Sequence, residues 1–311
     1  MATATATRGG RTAARFDRPA AGRRRRTLTW VLLVVGVLVA WEGLKFVGGT
    51  PWRPPGALPG PNVPVLWNPP FRWPFVSDLN LPHVWNIGLA FLDPWQRGAD
   101  RNVAQFLFDA ALFTWKEAAL GFAVGATVGL ALATVFVHSR LAERAFVPYV
   151  VASQTVPIIA IAPLITYAFG GSTIAVVIIA TYLTFFPVTI AMIVGLRSFD
   201  PRALELTRSY AASRWDVYRK LRLPASLPYL FTALKIAATA SIVGAIIGEG
   251  PGGIANGLGR VILNYNQYYI TGPEKLWAAI IASGILGIAF FLIVRAAEVV
   301  VLRGRPGAAE G

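Results

Sequence analysis

Few side chains in this sequence can do covalent or metal chemistry. There is no Cys among the 311 residues and only two His, His83 and His138, which excludes disulfides and thiolate nucleophiles and leaves too few ligands for a Cys- or His-built metal site. No G-x-x-x-x-G-K-[ST] phosphate loop, G-x-S-x-G elbow or paired-Asp metal motif occurs, so no catalytic residue, metal site or cofactor bound by the chain itself is expected. What remains are groups that hydrogen-bond, pair and dock. Glu205, Ala211, Ala212, Ser213, Trp215, Leu221, Leu223 and Pro224 fall in a basic segment opened by Asp200-Pro201. Gln154, Thr155, Tyr167, Tyr182, Thr184, Thr239 and Ser241 are polar residues inside otherwise apolar runs, where they either line a solute pathway or act as helix–helix hydrogen bonds. Glu249, before Gly250-Pro251-Gly252-Gly253, is a candidate external gate or a solvated loop tip.

The elements that must position these groups follow from composition. The chain is 55% hydrophobic and only 14% charged, against about 25% charged in an average soluble domain. Most of it therefore faces lipid. A lipid-exposed backbone must satisfy its own amides, which takes a helix of roughly 20 apolar residues per crossing. Six runs qualify, at about 28–47, 118–137, 147–169, 173–196, 228–248 and 276–301, giving an all-α polytopic fold. Gly170-Gly171-Ser172 predicts a tight turn between the third and fourth. Pro157, Pro163 and Pro187 fall inside spans and predict kinks.

The formal charge of +14 reads as topology rather than as a nucleic-acid surface. With the N-terminus cytoplasmic, 19 Lys and Arg fall in inner segments and six in outer ones, which puts both termini inside. Residues 1–27 read as a disordered basic tail with a membrane-surface anchor at Arg23–Arg26, and 302–311 as a second cytoplasmic tail. The stretch 48–104, with Trp52, Trp67, Trp73, Trp85, Trp95 and many prolines, reads as an external interfacial insert. The core then covers 105–301, with Val103, Phe106, Leu107, Ala110, Phe113 and Thr114 forming a helical lead-in to the second span.

Within 200–224, Asp200 followed by Pro201 opens a helix, and Ser213-Arg214-Trp215-Asp216 has capping-box spacing for a second short one ending before Leu223-Pro224. Trp215, Tyr218 and Leu221 offer it an apolar face. Composition alone leaves two readings open, a hairpin resting on anionic lipid or a knob docking on a protein partner.

The order of residues separates them. Glu205-Leu-Thr-Arg-Ser-Tyr-Ala211-Ala212-Ser213, then Leu221-Arg-Leu223-Pro224, resembles the EAA loop of ABC importer permeases: Glu-Ala-Ala, three residues, Gly, nine residues, Ile-x-Leu-Pro. The spacing is kept in full. Leu206 and Thr207 stand for the two alanines and Ala211 for the glycine, which puts a positive-φ turn there in doubt, since any Cβ is penalised in the left-handed region. A continued helix or a wider bend is the alternative. Ser153-Gln-Thr-Val-Pro157 through Pro163-Leu164 to Phe169-Gly170, Phe186-Pro187, Gly248-Glu249 and Gly257-Leu258-Gly259 are similar to permeases of the nitrate, sulfonate, taurine, pyrimidine-precursor and riboflavin-like group.

That resemblance implies the type I importer fold in the cell inner membrane, with this chain as one permease beside a second, in a homodimer, and surrounded by membrane lipid. An ABC ATPase would use ATP and Mg, and an external binding protein would deliver a small organic or oxyanionic solute. Glu205 to Pro224 would be the ATPase-coupling element. A secondary transporter is the rival, but it would carry inverted repeats and mid-span carboxylates, and neither is evident. Glu205 is expected to pair with Arg208 or Arg202, Lys235 to snorkel to the interface, and Arg295 to pair with Glu298.

Overall fold

The computed structural model describes residues 21–54, 63–96, 98–250 and 254–303, and at 21–27 the backbone only. The basic tails, apart from 21–27 and Leu302-Arg303, the side chains of Arg23–Arg26 and Pro251-Gly252-Gly253 lie outside what is described. Among the described residues there are helices, turns and three isolated bridge pairs but no strand. The chain divides into two units, Met1–Val84 and Trp85–Gly311.

The first unit holds α1, Ala21–Val47. From Leu28 its side chains are exposed along nearly the whole apolar run, as suits a span surrounded by lipid. The following stretch is more organised than an irregular interfacial insert. Trp52 N–H donates to Trp67 O and Leu66 N–H to Trp52 O, both at 2.8 Å, and Trp67 stacks on Phe46 with centroids 4.5 Å apart. Lys45 is 1% exposed, its Nζ donating to Asp78 Oδ1 at 2.5 Å and to Leu81 O at 2.6 Å. Glu42 lies 2.8 Å from His83 Nδ1 and accepts from Val84 N–H at 2.7 Å. Burial holds His83 below the ordinary imidazole range, against the opposing pull of its Glu42 hydrogen bond.

The second unit begins within α2, Val84–Ala90, and continues through α3, Val103–His138. Asn102 caps α3 by accepting from Gln105 N–H at 2.9 Å. Val103, Leu107, Ala110 and Thr114 are buried along the lead-in. Ser139 ends α3 and caps α4, Arg140–Ser153; α5 covers Ile158–Ala168 and α6 Thr173–Gly195. The single span expected over 147–169 is instead two helices bent by 94°. Pro157 lacks the N–H that would continue α4, and Tyr182 on α6 donates its hydroxyl to Ser153 O, satisfying a carbonyl freed at the break. No break occurs at Pro163 or Pro187, which stay inside α5 and α6. Gly170 and Gly171, both at φ 63°, make the expected turn before α6.

After α7, Pro201–Ser209, and α8, Arg214–Val217, a π-helical turn at Tyr218–Arg222 feeds α9, Leu223–Glu249. α10 covers Leu258–Gln267 and α11 Pro273–Leu302. Among the described residues five helices are long and apolar enough to cross a membrane, or six when the bent α4–α5 pair is counted as one span.

The centre of this unit is α6, clasped between α3 and α9. A Cβ on Gly121 would stand 2.4 Å from the Ala180 Cβ, one on Gly125 2.6 Å from the Thr184 Cβ, and one on Gly129 2.6 Å from Phe185 O. From the other side, a Cβ on Gly244 would stand 2.8 Å from the Ala180 Cα. Small residues four apart thus let the backbones approach closely, the device lipid-embedded helices use in place of a hydrophobic drive. Phe290 of α11 packs edge-on to Phe122, centroids 5.1 Å apart, and closes the cluster from outside.

Candidate functional site

The segment between α6 and α9 is a rigid hairpin. Asp200 Oδ1 accepts from Arg202 N–H at 2.9 Å, with Pro201 in the first helical position, as its sequence predicts. α7 ends in a left-handed residue: Ala211 has φ 53°, Ala211 N–H donates to Arg208 O at 2.9 Å and Ala212 N–H to Thr207 O at 3.1 Å. The positive-φ turn that alanine put in doubt is therefore formed, and neither a continued helix nor a wider bend takes its place. The two hydrogen bonds form a Schellman closure that holds the chain in αL despite a cost of about 1–2 kcal/mol. Ser213 Oγ accepts from Asp216 N–H at 3.1 Å, and Asp216 pairs with Lys220 at 2.8 Å. The second helix ends before Leu223-Pro224, at Val217, but a π turn carries the chain straight into α9, with Pro224 in the first turn of α9, where a missing N–H costs nothing.

Two contacts fasten the hairpin. Arg197 donates Nη1 and Nη2 to the Glu143 carboxylate on α4 at 2.8 and 2.7 Å, a bidentate fork that raises the guanidinium's proton affinity further. The Tyr218 hydroxyl lies 2.9 Å from Thr134 Oγ1 on α3, and its ring is buried with Trp215 stacked on it at 5.4 Å. Tyr218 is therefore an anchor and not part of an outward face, and Leu221 is half-buried. The outward apolar groups are Leu206, Tyr210 and Trp215, at 59%, 79% and 65% exposure. Glu205 is exposed, with no ion pair to Arg202 or Arg208 among the described residues. Leu223 and Pro224 are half-buried at the join with α9.

At the other end of α9, Glu249 is fully buried and not a solvated loop tip. Its Oε2 accepts from Gly259 N–H at 2.7 Å, and Leu258 N–H donates to Thr114 Oγ1 at 2.8 Å. Both glycines around Leu258 are dictated by this seat. A Cβ on Gly257, itself at φ 101°, would lie 2.3 Å from the Glu249 Cδ, and one on Gly259 2.1 Å from Ile246 O. Glu117 of α3 is the electrostatic neighbour of Glu249 and is equally buried. Sequence reading passed over Glu117. Its signal was a carboxylate opening an apolar run one helical turn after Thr114.

The polar residues picked from the spans do not form one cluster. Thr184 and Ser241 are fully buried and donate to the carbonyls of Ala180 and Ala238 on their own helices. Tyr182 is spent on the α4 break. Gln154 is half-buried beside it. Thr155, Tyr167 and Thr239 are exposed, Tyr167 at 88%, and Thr239 lies on an open stripe of α9 with Thr232, Ile236 and Val243. Two charged expectations change. Lys235 Nζ reaches Glu298 on α11 at 2.8 Å, so it pairs across helices instead of snorkelling, and Arg295 stays exposed. Adjacent packing of α9 and α11 outcompetes the i,i+3 pair.

Residues 125–299 match the family model of the binding-protein-dependent transport system inner membrane component, more than half of the chain. The chain belongs to this family. It is a multi-pass inner-membrane permease component of an ABC importer, a transport subunit, and membership implies an ATPase and a substrate-binding protein as partners. This permease is similar to the formylaminopyrimidine transport permease protein ThiX of Halalkalibacterium halodurans, 34% identical over 191 residues, 60% of this chain and 73% of that one. The riboflavin transport system permease protein RibX of Chloroflexus aurantiacus is 35% identical over 125 residues, 40% of this chain and 46% of its own length. The nitrate import permease protein NrtB of Leptolyngbya laminosa is 28% identical over 197 residues, 63% and 69% of the two chains.

Proposed function

We propose that the 197–224 hairpin is the coupling element of this permease, seated on a separate ABC ATPase that uses ATP and Mg. The observation that carries the reading is one piece of geometry. A twice-capped hairpin turns Leu206, Tyr210 and Trp215 outward while Tyr218 and Arg197 fasten it to α3 and α4. Aromatic groups on a rigid support are the usual anchors of a protein interface, and a stiff link passes a displacement on to α9, which continues from the π turn without a loop. On this reading the hairpin and both termini lie on the ATPase side, in agreement with the distribution of Lys and Arg.

The solute pathway then forms against a second permease of the same kind, with the open stripe of α9 and the exposed Thr155 and Tyr167 facing it. Glu249, buried as it is, would gate only by moving together with α10. The solute belongs to the small organic or oxyanionic class, on the strength of relatives named for formylaminopyrimidine, riboflavin and nitrate. The test is reconstitution with the ATPase and binding protein. Glu205→Ala, and more strongly Tyr210→Ala with Trp215→Ala, should cut ATPase co-purification and ATP-driven uptake at least tenfold while membrane insertion is unchanged. Normal uptake with normal assembly would overturn the coupling role.

A further inference from the structure

Behind the coupling hairpin, on the side turned away from Leu206, Tyr210 and Trp215, lies a cleft of about 1220 Å³ between α4 and the hairpin. Six arginines line it: Arg140 and Arg144 from α4, Arg197 ahead of α7, Arg208 from α7, Arg214 from α8 and Arg222 from the π turn. Glu143 is the one carboxylate on the same wall, and the Arg197 fork already holds both of its oxygens. Among the described residues the other five make no ion pair. Arg222 is steadied by a 3.4 Å hydrogen bond to Leu196 O and by the Phe199 ring 4.9 Å away, contacts that orient a guanidinium without neutralising it.

Gathering like charges from α4 and from the hairpin into one concave wall costs free energy unless an anion enters. We propose that this cleft binds a phosphate-bearing anion. Guanidinium groups match phosphate oxygens two at a time, and here they converge from α4 on one side and from the hairpin on the other. Val147, Pro148, Phe199, Leu204 and Val217 give the same cleft an apolar wall. A wholly water-soluble phosphate has no use for such a wall, whereas a phospholipid carries its phosphate on an apolar body, so the headgroup of an anionic phospholipid is the favoured source. A bound phosphate bridges α4 to the hairpin and stiffens the hairpin's seat from behind. The site is independent of what docks on the outward face.

The full-length chain in detergent micelles is titrated with phosphatidylglycerol, with phosphatidylcholine and with inorganic pyrophosphate, following thermal unfolding and lipid retention by native mass spectrometry. Phosphatidylglycerol should be retained at least fivefold over phosphatidylcholine and should raise the unfolding temperature. The variant Arg140→Gln/Arg144→Gln/Arg208→Gln should lose that preference, while Arg219→Gln, exposed and outside the cleft, keeps it. Competition by pyrophosphate identifies a soluble phosphate as an alternative source; no competition leaves the lipid. Equal retention of both lipids with no effect of pyrophosphate, or an unchanged preference in the triple variant, overturns the site. Should the triple variant fail to insert, Arg144→Gln alone, an exposed side chain with no ion pair, should lower the preference at least twofold, and an unchanged preference there is equally decisive against it.

Discussion

At its Leu223 end α9 grows out of a hairpin whose backbone is closed by its own caps and whose apolar groups point outward. At its Glu249 end, about 40 Å away at 1.5 Å per residue, nothing points outward: a carboxylate is sunk under the first turn of α10 and two glycines are shaped around it. One end is shaped by local hydrogen bonds that an isolated peptide could begin to form and is fastened at only two points, Arg197 to Glu143 and Tyr218 to Thr134; the other is built wholly from contacts between α3, α9 and α10 that exist only in the folded chain. A helix supported in these two ways can be pushed at the first end and will resist at the second. Mutations should therefore hurt stability at the Glu249 end and coupling at the hairpin end.

The largest expected effect is at Gly259. Its missing Cβ leaves room for Ile246 O, which a methyl group would approach to 2.1 Å, and because the obstacle is backbone, α10 must move as a whole. Gly259→Ala should destabilise by about 3 kcal/mol, seen as a lower unfolding temperature in detergent and poor recovery of the folded chain. An Ala variant of normal stability would show that the seat is plastic and the contrast between the two ends false. Next is Thr114→Val, which keeps the shape but leaves the Leu258 N–H buried without its acceptor. The expected loss is about 2 kcal/mol, with amide exchange at Leu258 as the local readout.

On the hairpin side, Tyr218→Phe removes the hydroxyl that meets Thr134 Oγ1 but keeps the ring under Trp215. Stability should fall by only about 1 kcal/mol. Uptake should fall by more than that loss accounts for, because the anchor links the hairpin to α3. Equal, small losses in both measurements would mean that force passes through α9 alone.

How much of this was legible in the sequence depends on the range of the interaction. The caps at Asp200 and Ser213 and the turn at Gly170-Gly171 are local, and their residue types announce them. The spacing of Gly121, Gly125 and Gly129 was equally visible as a close-packing stripe, though it was not read as one. Three prolines inside spans looked alike, yet only Pro157 breaks a helix, because whether a freed carbonyl finds a donor such as the Tyr182 hydroxyl is a tertiary matter. Lys235 with Glu298 and Glu249 with Gly259 were illegible for the same reason. Each partner is on a different element, and nearby charges or a nearby Gly-Pro run suggested a local answer instead.

The smallest effect has the opposite sign. Ala211 sits at φ 53° at the closure of α7, a conformation glycine adopts without a steric penalty, so Ala211→Gly should stabilise the hairpin by about 1 kcal/mol, somewhat offset by the wider freedom of glycine in the unfolded chain. The gain should appear as slower amide exchange at Ala212 and Val217, whose N–H groups close α7 and begin α8. Uptake decides what the alanine is for. If coupling needs only a rigid knob, Ala211→Gly transports as well as the parent chain. If the strain at Ala211 is released when the ATPase docks, the glycine variant binds its partner but couples less efficiently, and the hairpin end of α9 is spring-loaded where the Glu249 end is simply packed.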